Sequence, residues 1–228
     1  MRLSNIRKGV LSDQFPDSYP EEWPPYEYYL SESKITREDF LGLKELVENN
    51  SGETDIDRYI TERPQLLLSV LDMKNTGHHA AWVIPKQQIK PHVSSEMRGL
   101  IPDFLVGGKN SFGVTWYIVE LKGANHKLFS MAGGSVKLSD VANKGFCQSL
   151  IYMQFCNSSQ HMLREVLKLK GFDKANSFLI VGRAAETNTE RERMLKSAVN
   201  NFSESLSIRS YDSFLSSCER IVDSNSRM

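Results

Sequence analysis

Apolar positions along the chain repeat in two rhythms, and the switches between them outline its elements. Over residues 35–48, Phe40, Leu43, Leu46 and Val47 return at helical spacing. A second helix is predicted from a Thr54 N-cap, with Asp55 and Asp57 in its first turn, to Glu62, and Pro64 ends or bends it. Residues 66–73 form a short apolar run that periodicity alone does not assign. Residues 80–85, 102–106 and 115–121 read as strands, the last two joined by a glycine-rich turn, GGKNSFG. After a small-residue loop, SMAGGS, residues 137–156 predict a long helix with an apolar face of Val141, Leu150, Ile151 and Phe155. A shorter helix (161–169), an apolar strand (178–181), a helix (190–202), a short strand (207–211) and a terminal helix (212–222) complete the pattern. Helices, then strands carrying acids, then helix–strand–helix–strand–helix predict an α/β sandwich of one domain.

The first 33 residues stand apart. They hold Pro16, Pro20, Pro24 and Pro25 among Phe15, Tyr19, Trp23, Tyr26, Tyr28 and Tyr29. Prolines interrupt any long helix there, while the aromatics need burial. An ordered arm packed on the body or on a second subunit is therefore expected, with 1–50 as arm and helix and 51–228 as the main domain.

Composition narrows the class. A chain of 228 residues, 40% hydrophobic, can bury a sizeable core. No stretch approaches the roughly 18 to 20 apolar residues of a membrane span. The segment MRLSNIRKGVLSDQF lacks the apolar stretch of a secretory signal. Cys147, Cys156 and Cys218 are too few for a disulfide framework, and no Cys/His spacing suggests zinc. A cytoplasmic setting is the simplest expectation. Net charge is zero, which does not mark a generic nucleic-acid binder. Its distribution is uneven: residues 1–62 hold 7 basic and 14 acidic side chains, whereas residues 84–149 hold 8 basic and 4 acidic. The middle of the chain could offer phosphates a positive surface, although ordinary local variation gives such a balance equally well.

The chemistry concentrates in IPDFLV and WYIVELKG. Alternate strand residues share a face, so Glu120 and Lys122 point together while Val119 and Leu121 point into the core. Ionised groups on an apolar strand are costly unless paired or metal-bound. Asp103 begins the preceding strand, and antiparallel pairing of the two can bring it beside Glu120 and Lys122. Two carboxylates and an ammonium suit a hard divalent cation, with Mg2+ expected and Mn2+ as a substitute. The Leu121 carbonyl is a further candidate oxygen ligand. Such a centre suits phosphodiester hydrolysis: the ion polarises the phosphate and acidifies a water, while Lys122 steadies developing charge. Lys144, Gln148 and Tyr152 share a helix face at i, i+4 spacing and could meet phosphate or position a water. Glu62 is either a third acid for the metal or an exposed acid before a proline. His126 and Lys127, just beyond Lys122, are candidate phosphate contacts, His126 also being readable as an ordinary loop histidine. GGKN lacks the pattern of a P-loop.

With these pieces in order, the chain resembles the nuclease domain of the Shedu anti-phage defence proteins, a branch of the restriction-endonuclease-like, PD-(D/E)XK superfamily. The resemblance runs from about Asp55 onward: ERPQLL at Glu62, DFLV at Asp103, ELK at Glu120, the helix with Gln148 and Tyr152, FLIVG, and SIRSYDSFL. The resemblance implies a central mixed sheet flanked by helices, metal-dependent cleavage of double-stranded DNA and assembly into a homo-oligomer, with no small-molecule cofactor or membrane. It further implies Asp103 and Glu120 as metal ligands, Lys122 as catalytic lysine, Gln148 as a supporting residue and Glu62 as the helix acid. Where the family pattern has asparagine before the proline, this chain has Arg63. The alternatives are a catalytically weak nucleic-acid-binding or assembly module of the same fold, or a repair or RNA-processing nuclease.

Overall fold

A computed structural model describes residues 19–30, 34–74, 77–89, 100–186 and 189–225. The outer part of the arm, residues 1–18, lies outside the described residues. Helix α1, Arg37–Glu48, starts at Thr36, whose hydroxyl accepts from Asp39 N–H while the Asp39 carboxylate accepts from Thr36 N–H, both at 3.0 Å. This reciprocal pairing satisfies two otherwise orphaned donors. Helix α2, Glu53–Glu62, starts two residues earlier than predicted: Gly52 is its N-cap, and Thr54 lies inside it. The unassigned run resolves into a 3-10 turn at Pro64–Leu67 and the short helix α3, Leu68–Asp72.

The central sheet begins with β1, Ala80–Pro85, β2, Phe104–Asn110, and β3, Gly113–Leu121, paired antiparallel. The predicted turn GGKNSFG is a correction: Gly107 to Asn110 extend β2, and only Ser111 and Phe112 turn. The glycine serves packing here, because a Cβ on Gly107 would lie 2.9 Å from the Trp116 ring opposite it. The predicted SMAGGS loop is likewise a hairpin, β4, Phe129–Ala132, with β5, Ser135–Leu138, turning at Gly133 and Gly134.

Helix α4, Asp140–Ser158, follows, capped by Ser139, whose hydroxyl accepts from Ala142 N–H. Its buried face differs from the predicted one. Ala142, Gly145, Ser149, Tyr152 and Cys156 face the sheet, whereas Leu150 and Ile151 are 44% and 54% exposed. Small residues at i, i+3 and i+7, Ala142, Gly145 and Ser149, let the helix sit close to the strands. Then come α5, Gln160–Glu165, β6, Ala175–Ile180, α6, Glu190–Phe202, β7, Leu206–Arg209, and α7, Tyr211–Asn225. Strands β6 and β7 continue the sheet parallel to β3, giving the order β1-β2-β3-β6-β7.

One face of this mixed sheet packs Val83, Phe104, Val119, Leu121 and Phe178 against α1, α2, α3 and α7. The other packs Trp82, Leu105, Ile118 and Leu179 against α4, α5 and α6. The expected α/β architecture, a central mixed sheet flanked by helices, is thus the observed one and is consistent with a restriction-endonuclease-like fold. The described part of the arm lies along edge strand β1. Leu30 N–H donates to Ala81 O at 2.9 Å, and Tyr19, Trp23 and Tyr29 surround the buried Trp82, whose indole N–H donates to the Tyr19 hydroxyl at 2.8 Å. A chain laid on an edge strand blocks its unpaired backbone groups.

Candidate active site

The site forms where the antiparallel and parallel halves of the sheet meet, at the C-terminal end of β3. The β2–β3 register pairs Phe104 with Val119, so one step further Asp103 faces Glu120. Both belong to the face covered by α4, as strand alternation requires. Leu121 N–H donates to Asp103 Oδ2 at 2.8 Å, which holds that carboxylate against the end of β3. Lys122 N–H donates to Ile180 O at 2.8 Å and fixes the lysine backbone to β6. Lys122 Nζ then reaches back 2.9 Å to Glu120 Oε1 and 3.3 Å to Glu53 Oε2.

These groups line a cleft of about 370 Å³. Its floor is Asp103, Glu120 and Lys122; Glu53 closes one side, and Val141, Lys144, Gln148 and Tyr152 of α4 close the other, with His126 at the rim. The Tyr152 hydroxyl donates to Ile101 O at 3.2 Å. Two buried oxygens in the cleft, Glu120 Oε2 and Gln148 Oε1, have no hydrogen-bond partner among the described residues. Unsatisfied buried acceptors are costly, and a cation or an ordered water relieves that cost.

The electrostatics are unusual for a strand. Burial, then the nearby Asp103 charge, push the Glu120 carboxyl up to about 7 although Lys122 hydrogen-bonds to it. Burial alone depresses the Lys122 ammonium, but the hydrogen bond and charge of Glu120, with Glu53 and Asp103, outweigh it and leave it above the ordinary lysine value. Lys122 is therefore a cation, not a base, near neutral pH. Burial and the Glu120 charge push the Tyr152 hydroxyl up to about 12, so it stays a donor. On the other face, the fully buried Tyr211 is raised well above its usual value by burial and by the charges of Asp103, Glu53 and Asp57.

Of the residues singled out in the sequence, Asp103, Glu120, Lys122, Lys144, Gln148, Tyr152 and His126 come together here. The Leu121 backbone adjoins Asp103. Lys127 does not line the cleft; its carbonyl accepts from the Ser139 hydroxyl at 2.7 Å. Glu62 is a correction. Its side chain is 58% exposed and pairs with Arg63 at 3.2 Å, because it closes α2 at the end opposite the one that lines the cleft. The opposite end of α2 approaches β3, and Glu53 takes the place expected of Glu62. That approach needs Gly123, where a Cβ would lie 3.0 Å from Glu53 N and 3.2 Å from Gly52 Cα.

Sequence reasoning also missed Asp57 and Lys86. Asp57 lies one turn after Glu53 on the same face of α2, a spacing visible in the sequence. Lys86 directly follows β1, and its ammonium contacts Asp103 Oδ1 and lies 2.9 Å from Asp57 Oδ1. Among the described residues, no group of three or more His, Cys, Asp or Glu is placed to hold a metal ion by itself. Asp103 and Glu120 nevertheless fit Mg2+, which takes oxygen donors, keeps several waters and is commonly bound through one or two carboxylates.

A comparison with family models matches residues 50–215 to the Shedu protein SduA, C-terminal family. The chain belongs to the Shedu family. The match spans most of the 228 residues and includes Glu53, Asp57, Lys86, Asp103, Glu120, Lys122 and Gln148. Shedu membership implies a part in anti-phage defence. No curated protein matches the chain. No helix among the described residues is long and apolar enough to cross a membrane.

Proposed function

We propose that this Shedu chain is a divalent-metal-dependent DNA endonuclease of the PD-(D/E)XK type, hydrolysing phosphodiester bonds. The observation that carries the reading is the convergence of Asp103 and Glu120 from facing strands with the Lys122 ammonium 2.9 Å from Glu120, in a cleft holding orphaned acceptors. Asp103 and Glu120 would hold the ion, Mg2+ or Mn2+, which supplies Lewis-acid polarisation of the phosphate and an acidified water. Lys122, held protonated by its carboxylate neighbours, stabilises charge building on the phosphoryl oxygens. The Gln148 carbonyl can accept from a water positioned in the cleft. Lys144 and His126, which line the cleft, would meet flanking phosphates. One such centre cuts one strand, so double-strand cleavage calls for two copies, and a homo-oligomer acting on duplex DNA is the form proposed.

The test is cleavage of double-stranded, nicked and single-stranded DNA and of RNA, with Mg2+, Mn2+ or chelator. The expected result is metal-dependent DNA cutting that Lys122→Ala lowers by roughly a hundredfold or more. Binding without cutting under every metal condition, or wild-type cutting by Lys122→Ala, would overturn the reading.

A further inference from the structure

Lys86 is held in a way that sheet geometry does not require. It follows the last residue of β1 with φ of 49°, in the left-handed region that L side chains other than Asn and Asp seldom adopt. Its N–H donates to Asp103 O at 2.9 Å, which locks the backbone turn to the residue whose side chain it also contacts. Its ammonium sits between two carboxylates, touching Asp103 Oδ1 and lying 2.9 Å from Asp57 Oδ1. Asp103 Oδ2 already accepts from Leu121 N–H at 2.8 Å. Both oxygens of Asp103 are therefore engaged, one by a backbone N–H and one by a full positive charge. Glu120 differs, since Lys122 takes only Oε1 and leaves Oε2 without a partner.

We infer that Lys86 is a resident cation on Asp103 that competes with a divalent ion for that carboxylate, with Asp57 as the partner that keeps the ammonium once it is displaced. The inference rests on the proposed metal-dependent reading of the site and adds to it a built-in threshold for metal binding. An ammonium on the Oδ1 atom repels a dication approaching the same carboxylate, and at these separations in a partly buried site the repulsion is large. The side chain is 40% exposed, so it has room to swing from Asp103 while remaining on Asp57. Asp57, at 22% exposure on the first turns of a packed helix, is the fixed end of that swing.

Mn2+ titration by calorimetry on the full chain, in wild type, Lys86→Met, Asp57→Asn and the double variant, decides the matter without any cleavage assay. Lys86→Met is expected to bind Mn2+ about tenfold tighter than wild type. Asp57→Asn is expected to bind several times more weakly, because the ammonium then has only Asp103, and this weakening is expected to vanish in the Lys86→Met background. Equal or weaker binding by Lys86→Met overturns the inference, as does an Asp57→Asn effect of the same size in both backgrounds. Should Lys86→Met lose its native circular dichroism, Lys86→Gln takes its place under the same criteria. Wild type that binds Mn2+ no more weakly than the variants removes the competition alone; natively folded proteins that all bind no Mn2+ remove the metal-dependent function together with it.

Discussion

Glu120→Gln in the metal-free protein isolates the energetic cost of the site. The carboxyl is 4% exposed and is pushed up from 4.5 to about 7, by burial first and by Asp103 second. A carboxyl whose folded value lies above its unfolded value binds a proton more tightly when folded. Its contribution to stability is fully present below about pH 4.5 and is lost as pH rises through about 7. At about 1.4 kcal/mol per unit, ionising Glu120 in the folded chain costs up to about 3 kcal/mol. Glutamine cannot ionise, so Glu120→Gln should match wild type near pH 5 and exceed it by about 1–3 kcal/mol at pH 8. Urea unfolding in chelator at the two pH values measures this, and the difference between the two proteins cancels every group they share. Saturating Mn2+ should then raise wild-type stability more than that of the variant, since a ligand that binds only the folded state stabilises it by mass action. A pH-independent difference between the two proteins, or a variant less stable than wild type at pH 8, would refute the assignment of Glu120 as a destabilising, raised carboxyl.

Three further outcomes are expected. Calorimetric Mn2+ affinity should rise about tenfold per pH unit below about 7 and flatten above it, because one proton must leave Glu120; constant affinity from pH 5.5 to 8 counts against the acid as ligand. Glu62→Ala should leave Mn2+ affinity unchanged, whereas Glu53→Gln should alter it, since only Glu53 lines the cleft. Trp82→Ala should destabilise the fold by about 3–5 kcal/mol and open residues 19–30 to limited proteolysis, as the arm packs its aromatics on that indole.

The parts of the site that were legible in the sequence are those governed by strand alternation. Period two places Glu120 with Lys122, and a short connection makes the antiparallel register that sets Asp103 opposite Glu120. Glu53 reaches the cleft from α2, Lys86 reaches Asp103 from just beyond β1 with Asp57 beside it, and no local rhythm says which end of a helix meets a strand. The misassigned glycines share one cause: Gly107 reads as a turn residue, yet it serves the approach of a ring. Helix α4 misleads for the same reason, because Ala142, Gly145 and Ser149 carry little apolar signal while making the closest packing. Leu150 and Ile151 carry a strong signal and face outward.

A second ion cluster in the molecule shows what a structural arrangement looks like. Arg183 places Nη2 3.0 Å from Asp212 Oδ1 and donates through Nη1 to Val47 O at 2.9 Å, tying α1 and α7 to the end of β6. Burial raises the Asp212 carboxyl, but the Arg183 hydrogen bonds more than offset it, so it lies below its ordinary value and stabilises the fold at neutral pH. The cleft does the reverse. Among the described residues, the carboxylates of Glu53, Asp57, Asp103 and Glu120 lie within ion-pair distance of the Lys86 and Lys122 ammonium groups. Glu120 is driven up, one of its oxygens is orphaned, and Lys86 is held at a positive φ. Apolar side chains of similar volume would serve folding as well or better than such a group. Stability therefore accounts for Arg183 and Asp212 but not for the cleft, where a raised carboxyl and an orphaned buried oxygen mark a candidate functional site.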